Sequence, residues 1–178
     1  MSKVLVISTS LRPGSNSELL AKEFEKGAKE KGHDVVFLSL KDKKIAFCHG
    51  CMACQKLGRC IIDDDANAIA DLMCESEVIA FASPIYYYEM SGQMKTLIDR
   101  VNSLYSRPYK FKDIYFLCSA AEEEKEVPYR AISGLEGWID CFEGVSLKGC
   151  VFAGGVNSPS EIKGKPYLEE AYQLGKSI

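Results

Sequence analysis

Lys3-Val-Leu-Val-Ile-Ser-Thr-Ser-Leu-Arg-Pro-Gly-Ser-Asn-Ser-Glu-Leu-Leu20 passes from an apolar run through hydroxyls into an amphipathic segment. Val4 to Ile7 is short, β-branched and bounded by turn residues, the pattern of a buried strand. Ser15 and Glu18 have the spacing of a capping box, so a helix is expected from near Asn16, with Leu20, Phe24 and Ala28 on one face. A strand that feeds a helix through a polar loop makes an anion site. Unpaired N–H groups and the positive end of the helix dipole face into that loop. Ser8, Thr9, Ser10, Ser15 and Ser17 hydroxyls and the Arg12 guanidinium join them, a set suited to a phosphomonoester. An ordinary capped turn is the competing reading. No G-x-G-x-x-G is present. Gly175-Lys176-Ser177 lacks the earlier glycine and the preceding strand of a Walker loop.

Outward from this stretch the chain alternates strand and helix. Strands are expected at Asp34–Leu40, Val78–Ser83, Ile114–Ser119 and Leu147–Ala153. Helices are expected after Asp63-Asp64-Asp65, after Ser91, from Pro128 with a stripe running to Phe142, and from Lys165 onward. The acidic triplet reads as helix-start chemistry, and Glu122 to Glu124 as a solvated loop. Five βα repeats imply one α/β domain over residues 1–178, a three-layer α/β/α fold with a parallel five-stranded sheet in the order 2-1-3-4-5. Ligands of such sheets bind beyond the strand ends where the order reverses. That places Ser8–Ser17 beside Pro84–Gly92, which carries Tyr86, Tyr87 and Tyr88. The tyrosines read as a wall for a flat ring or as an aromatic cluster.

The 178 residues carry a net charge of −3, which argues against a nucleic-acid surface. No apolar run is long enough to span a membrane, and Met1-Ser2-Lys3 leads straight into a strand, so a cytoplasmic location is expected. Eight cysteines are many for a reducing compartment. Cys74, Cys118, Cys141 and Cys150 read as small core residues.

S-T-S-L-R-P-G-S-N-S after the first strand and S-P-I-Y-Y-Y-E-M-S-G-Q-M-K-T-L-I-D-R after the third resemble the NADPH-dependent FMN reductase family of flavodoxin-like proteins, over roughly the whole chain. The resemblance implies bound FMN, with its phosphate at Ser10, Arg12, Ser15, Asn16 and Ser17. It implies an isoalloxazine held by Pro84, Ile85, Tyr86 and Tyr87, with the loop at Ser119 completing the ring site. The usual glycine is missing from that loop. It further implies NAD(P)H as reductant, a flavin, quinone or similar small acceptor, and a homodimer or homotetramer. The flavin would carry the chemistry, so no catalytic side chain is expected.

Cys48, Cys51, Cys54 and Cys60 form C-x2-C-x2-C-x5-C, a spacing that suggests a metal site. It resembles that of the iron–sulfur flavoproteins, which hold a [4Fe–4S] cluster beside FMN. Zinc, a Cys51–Cys54 disulfide and free thiols remain open. Two functions follow as expectations: an FMN-dependent NAD(P)H oxidoreductase, or an electron carrier without nicotinamide turnover. A receiver-like module would need acids after the first strand, where Ser8-Thr9-Ser10 offers none.

Overall fold

The computed structural model describes residues 1–178. Five parallel strands, β1 (Lys3–Ser8), β2 (Asp34–Ser39), β3 (Val78–Tyr86), β5 (Asp113–Ser119) and β6 (Ser146–Ala153), lie in the order β2-β1-β3-β5-β6. This is the expected topology with one addition, β4 (Glu89–Met90), which pairs antiparallel with the end of β3. β1, β3 and β5 are central and nearly continuous in buried apolar residues, because helices cover both sheet faces.

On one face, Val4, Val6, Ala80, Leu117 and Val151 pack against α1 (Asn16–Glu30) and α6 (Tyr167–Lys176). These two helices cross closely. A Cβ on Gly27 would collide with the Tyr172 carbonyl, and one on Gly175 with the Phe24 carbonyl. On the other face, Leu5, Ile7, Ile79, Phe81 and Phe116 pack against α3 (Asp65–Glu75), α4 (Gly92–Arg100) and α5 (Tyr129–Ile139). Phe142 lies beyond the end of α5, not within its stripe. It nevertheless packs in the core, 4.9 Å from Trp138 and 5.2 Å from Phe111 between ring centroids.

Two further expectations need correction. β3 does not break at Pro84 but runs on to Tyr86, paired with β5 as far as Pro84↔Ser119. Cys74 and Cys118 are buried as expected, whereas Cys141 and Cys150 are exposed. Cys150 lies on β6, an edge strand without a further neighbour, and Cys141 follows the last turn of α5.

Candidate functional site: a cleft at the strand ends and a cysteine loop beside it

The first loop is fastened at its base. The Thr9 hydroxyl donates to the Ala82 carbonyl at 2.9 Å and pairs with the Ser91 hydroxyl at 3.0 Å. Ser91 also caps α4 by accepting from Met94 N, so the loop, β3 and α4 share one polar knot. The capping box does not form. Ser15 is the N-cap residue of α1, but its hydroxyl pairs with that of Ser17 at 3.0 Å, and Glu18 turns to Lys22. The first-turn N–H groups of α1 are therefore left without a side-chain cap, free to meet an anion. Ser8 does not take part: its Oγ is buried below the loop without a partner.

The opposite wall is the loop after β6, which sequence reasoning missed. Arg12 Nη1 donates to the Asn157 carbonyl at 2.7 Å, and Ser160 N donates to the Gly14 carbonyl at 2.8 Å. Asn16 turns its side-chain amide there, Nδ2 donating to the Ser158 carbonyl and Oδ1 accepting from Ile162 N. Its amide thus builds the wall, and its backbone N–H belongs to the uncapped first turn of α1. No hydrophobic period marks residues 156–162. The only hint is Asn157-Ser158-Pro159, plain turn chemistry.

The ring side is made by the end of β3. Tyr86 and Glu89 pair across a two-residue turn whose central residues, Tyr87 and Tyr88, have φ of +50° and +66°. This is the left-handed pattern of a type I′ hairpin, normally occupied by Asn and Gly. Ser83 Oγ steadies it by accepting from Ser91 N at 2.9 Å.

These loops enclose a cleft of about 190 Å³. Ser10, Arg12, Ser15 and Asn16 line it from the first loop and Pro84, Ile85 and Tyr86 from β3. Ser119, Ala120 and Ala121 line it from the loop after β5, and Val156, Asn157 and Pro159 from the loop after β6. Ser17 lies buried behind Ser15 and does not line it. Tyr87 lines an adjoining hollow of about 220 Å³, which shares Ile85, Ala120 and Ala121 with the cleft. The open helix terminus with hydroxyls at one end and apolar backbone-rich walls at the other fit a phosphate-bearing flat ring such as FMN.

Residues 46–64 form a loop beside α4 that contains the four clustered cysteines and the short helix α2 (Ala53–Leu57). Cys48 and Cys51 are exposed, and Cys54 and Cys60 half-buried. Three sulfurs accept N–H donors: Cys48 from Gly50 N at 3.4 Å, Cys54 from Asn102 Nδ2 at 3.3 Å and Cys60 from Arg100 Nη2 at 3.5 Å. Donors aimed at sulfur are the outer shell that thiolate ligands require, so the chemistry of the donor set fits an iron–sulfur cluster. The four sulfurs do not converge on one point. No three His, Cys, Asp or Glu side chains in the chain stand close enough to hold a metal ion. His33 is structural, its ring bonded to Ser2 N and the Ile178 carbonyl.

The sequence profile of the family described as NADPH-dependent FMN reductase matches residues 2–135. An iron–sulfur flavoprotein of Archaeoglobus fulgidus is 30% identical over 184 residues, covering 100% of this chain and 79% of that protein. One from Methanocaldococcus jannaschii is 40% identical over 102 residues, 57% of this chain, and the match spans only about half (53%) of that relative's length. Among solved structures, an NAD(P)H:quinone oxidoreductase from Methanothermobacter marburgensis has a TM-score of 0.75 at 18% identity, with 98% of each chain covered. At that identity the likeness establishes the fold alone.

Proposed function

The chain belongs to the NADPH-dependent FMN reductase family, and from that premise we propose that it is an FMN-dependent oxidoreductase taking electrons from NAD(P)H and passing them to a flavin, quinone or similar small acceptor. The observation that carries this reading is the cleft itself: an uncapped α1 terminus with hydroxyls facing the end of β3. When bound, the flavin supplies hydride acceptance and electron delivery. The chain's own residues bind and orient. Ser10, Ser15 and the first-turn N–H groups of α1 hold the phosphate, and Arg12 adds positive charge at the rim while bridging to Asn157. Pro84, Ile85, Tyr86 and Ser119 would hold the ring, and Tyr87 lines the adjoining hollow. Val156, which is buried, and the exposed Pro159 close the β6 side of the cleft.

No helix is long and apolar enough to cross a membrane. Tyr86, Tyr87 and Tyr88 are exposed together at the β3–β4 turn, which supports assembly as a homodimer or homotetramer.

A second reading, an electron carrier with FMN and a [4Fe–4S] cluster on Cys48, Cys51, Cys54 and Cys60, is favoured by the three N–H···S contacts in the cysteine loop. Both are tested on protein purified without oxygen, by its absorption spectrum, its iron and acid-labile sulfide, and NADPH oxidation with a quinone. Flavin with quinone-dependent turnover supports the reductase. Flavin with iron and no turnover above background supports the carrier. No flavin, even after adding FMN, overturns both.

A further inference from the structure

The cysteine loop hangs from a buried ion pair. Arg100, the last residue of α4, has a side chain that is 0% exposed. Its Nη1 donates to the Ala46 carbonyl at 2.6 Å and to Asp64 Oδ2 at 2.7 Å. Its Nη2 donates to Asp64 Oδ1 at 2.9 Å and reaches the Ile62 carbonyl at 3.4 Å and Cys60 Sγ at 3.5 Å. Asp64 accepts from Ala46 N in turn, and caps α3 through Ala66 N. Both ends of residues 46–64 thus meet at one guanidinium.

Fold stability alone does not account for a cation at this place. Desolvating an Arg–Asp pair costs about as much as the pair returns, and apolar side chains can close a loop neck equally well. The Arg100 Nε hydrogen is also buried without a partner, a further cost. What an apolar pair cannot supply is a charged N–H aimed at sulfur. Asn102 supplies a second donor two residues further on, to Cys54 Sγ. These are the two less exposed thiols of the four.

We propose that Arg100 and Asn102 are positioning residues of the cysteine loop, holding Cys60 and Cys54 as the fixed half of a thiolate site that Cys48 and Cys51 complete. This deepens the iron–sulfur reading and rests on it for the identity of the group held. Cationic and amide donors to sulfur orient the thiolates and offset their charge as the site fills. The exposed half is then the half that has to close, since no three of the ligands stand together.

The test compares wild type, Arg100→Lys and Asn102→Ala, each purified without oxygen. FMN and iron per chain are measured first. After iron is removed with a chelator, the alkylation rate of each thiol by iodoacetamide is followed by peptide mass spectrometry. In the wild-type apoprotein, Cys48 and Cys51 react first and Cys54 and Cys60 last. Arg100→Lys keeps a cation opposite Asp64 but loses the fork. FMN stays at the wild-type level, iron affinity falls about 10–100-fold, and Cys60 alone alkylates about tenfold faster. Asn102→Ala does the same at Cys54. A wild-type Cys60 as reactive as Cys48, or a variant that speeds all four thiols alike, overturns the proposal, because general loosening would do the latter. If Arg100→Lys fails to fold and bind FMN, Cys54 in Asn102→Ala decides, and an unchanged rate there overturns the proposal. Wild-type protein that never carries iron, yet protects Cys54 and Cys60 in this way, removes the iron–sulfur reading and leaves the positioning roles standing.

Discussion

Tyr87 is 97% exposed and sits at a backbone conformation that bulky residues avoid. A left-handed conformation costs a non-glycine residue about 1–2 kcal/mol. Tyr87→Asn should therefore raise stability by about 0.5–1 kcal/mol in a urea melt, since Asn tolerates the left-handed region. A fall in stability would mean that the ring makes contacts which outweigh the strain. Asn16 works in the opposite sense. Asn16→Ala strands the Ile162 N–H and the Ser158 carbonyl, and should cost about 1–3 kcal/mol while loosening residues 156–162 to proteolysis. Neither feature is legible in the sequence. Tyr-Tyr at a tight turn contradicts turn propensity, and the Asn16 amide finds its partners more than a hundred residues away.

At the scale of elements, the α1–α6 crossing depends on two hydrogens. Gly27→Ala pushes a methyl into the Tyr172 backbone, and a melt should record a loss of about 1–3 kcal/mol despite the better helix propensity of alanine. The neck of the cysteine loop depends on ionisation. Burial alone would raise the Asp64 carboxyl, but hydrogen bonds from Arg100, Ala46 N and Ala66 N outweigh it and hold the group below its ordinary value. A lowered folded value gives stability that is complete above the unfolded pKa, about 3.9, and is lost as pH falls through the folded one. Wild type should exceed Asp64→Asn by about 3 kcal/mol at neutral pH, the cost of leaving Arg100 unpaired. The gap should close in melts taken progressively below about pH 4; a gap that persists there would assign the neck to something other than this charge.

For the molecule as a whole, ligand binding at the cleft joins loops from four strands and must appear as global stability. FMN at a hundred times its dissociation constant adds about 2.7 kcal/mol, which in a chain of this size raises Tm by about 5–10 °C. No shift would remove the cofactor from the cleft. The topology was legible because β1, β3 and β5 are buried on both faces and declare themselves as apolar runs between turn signals. The first loop and the Pro84–Tyr86 wall followed from that topology. The exposure of Cys150 did not, because its strand becomes an edge only once the sheet is assembled. The loop after β6 reaches the cleft for a similar reason, through contacts that exist only in the folded chain. Helix α4 is capped by Ser91, in the knot behind the ring wall, and ends at Arg100, in the neck of the cysteine loop. Its length is therefore also a phase. One residue inserted or removed would turn Arg100 about 100° around the axis and swing the guanidinium out of register with Asp64, whereas two whole turns, about seven residues, would restore its direction. Among homologous chains, length changes between these two regions are thus expected to fall in the flanking loops and to leave the helix itself untouched.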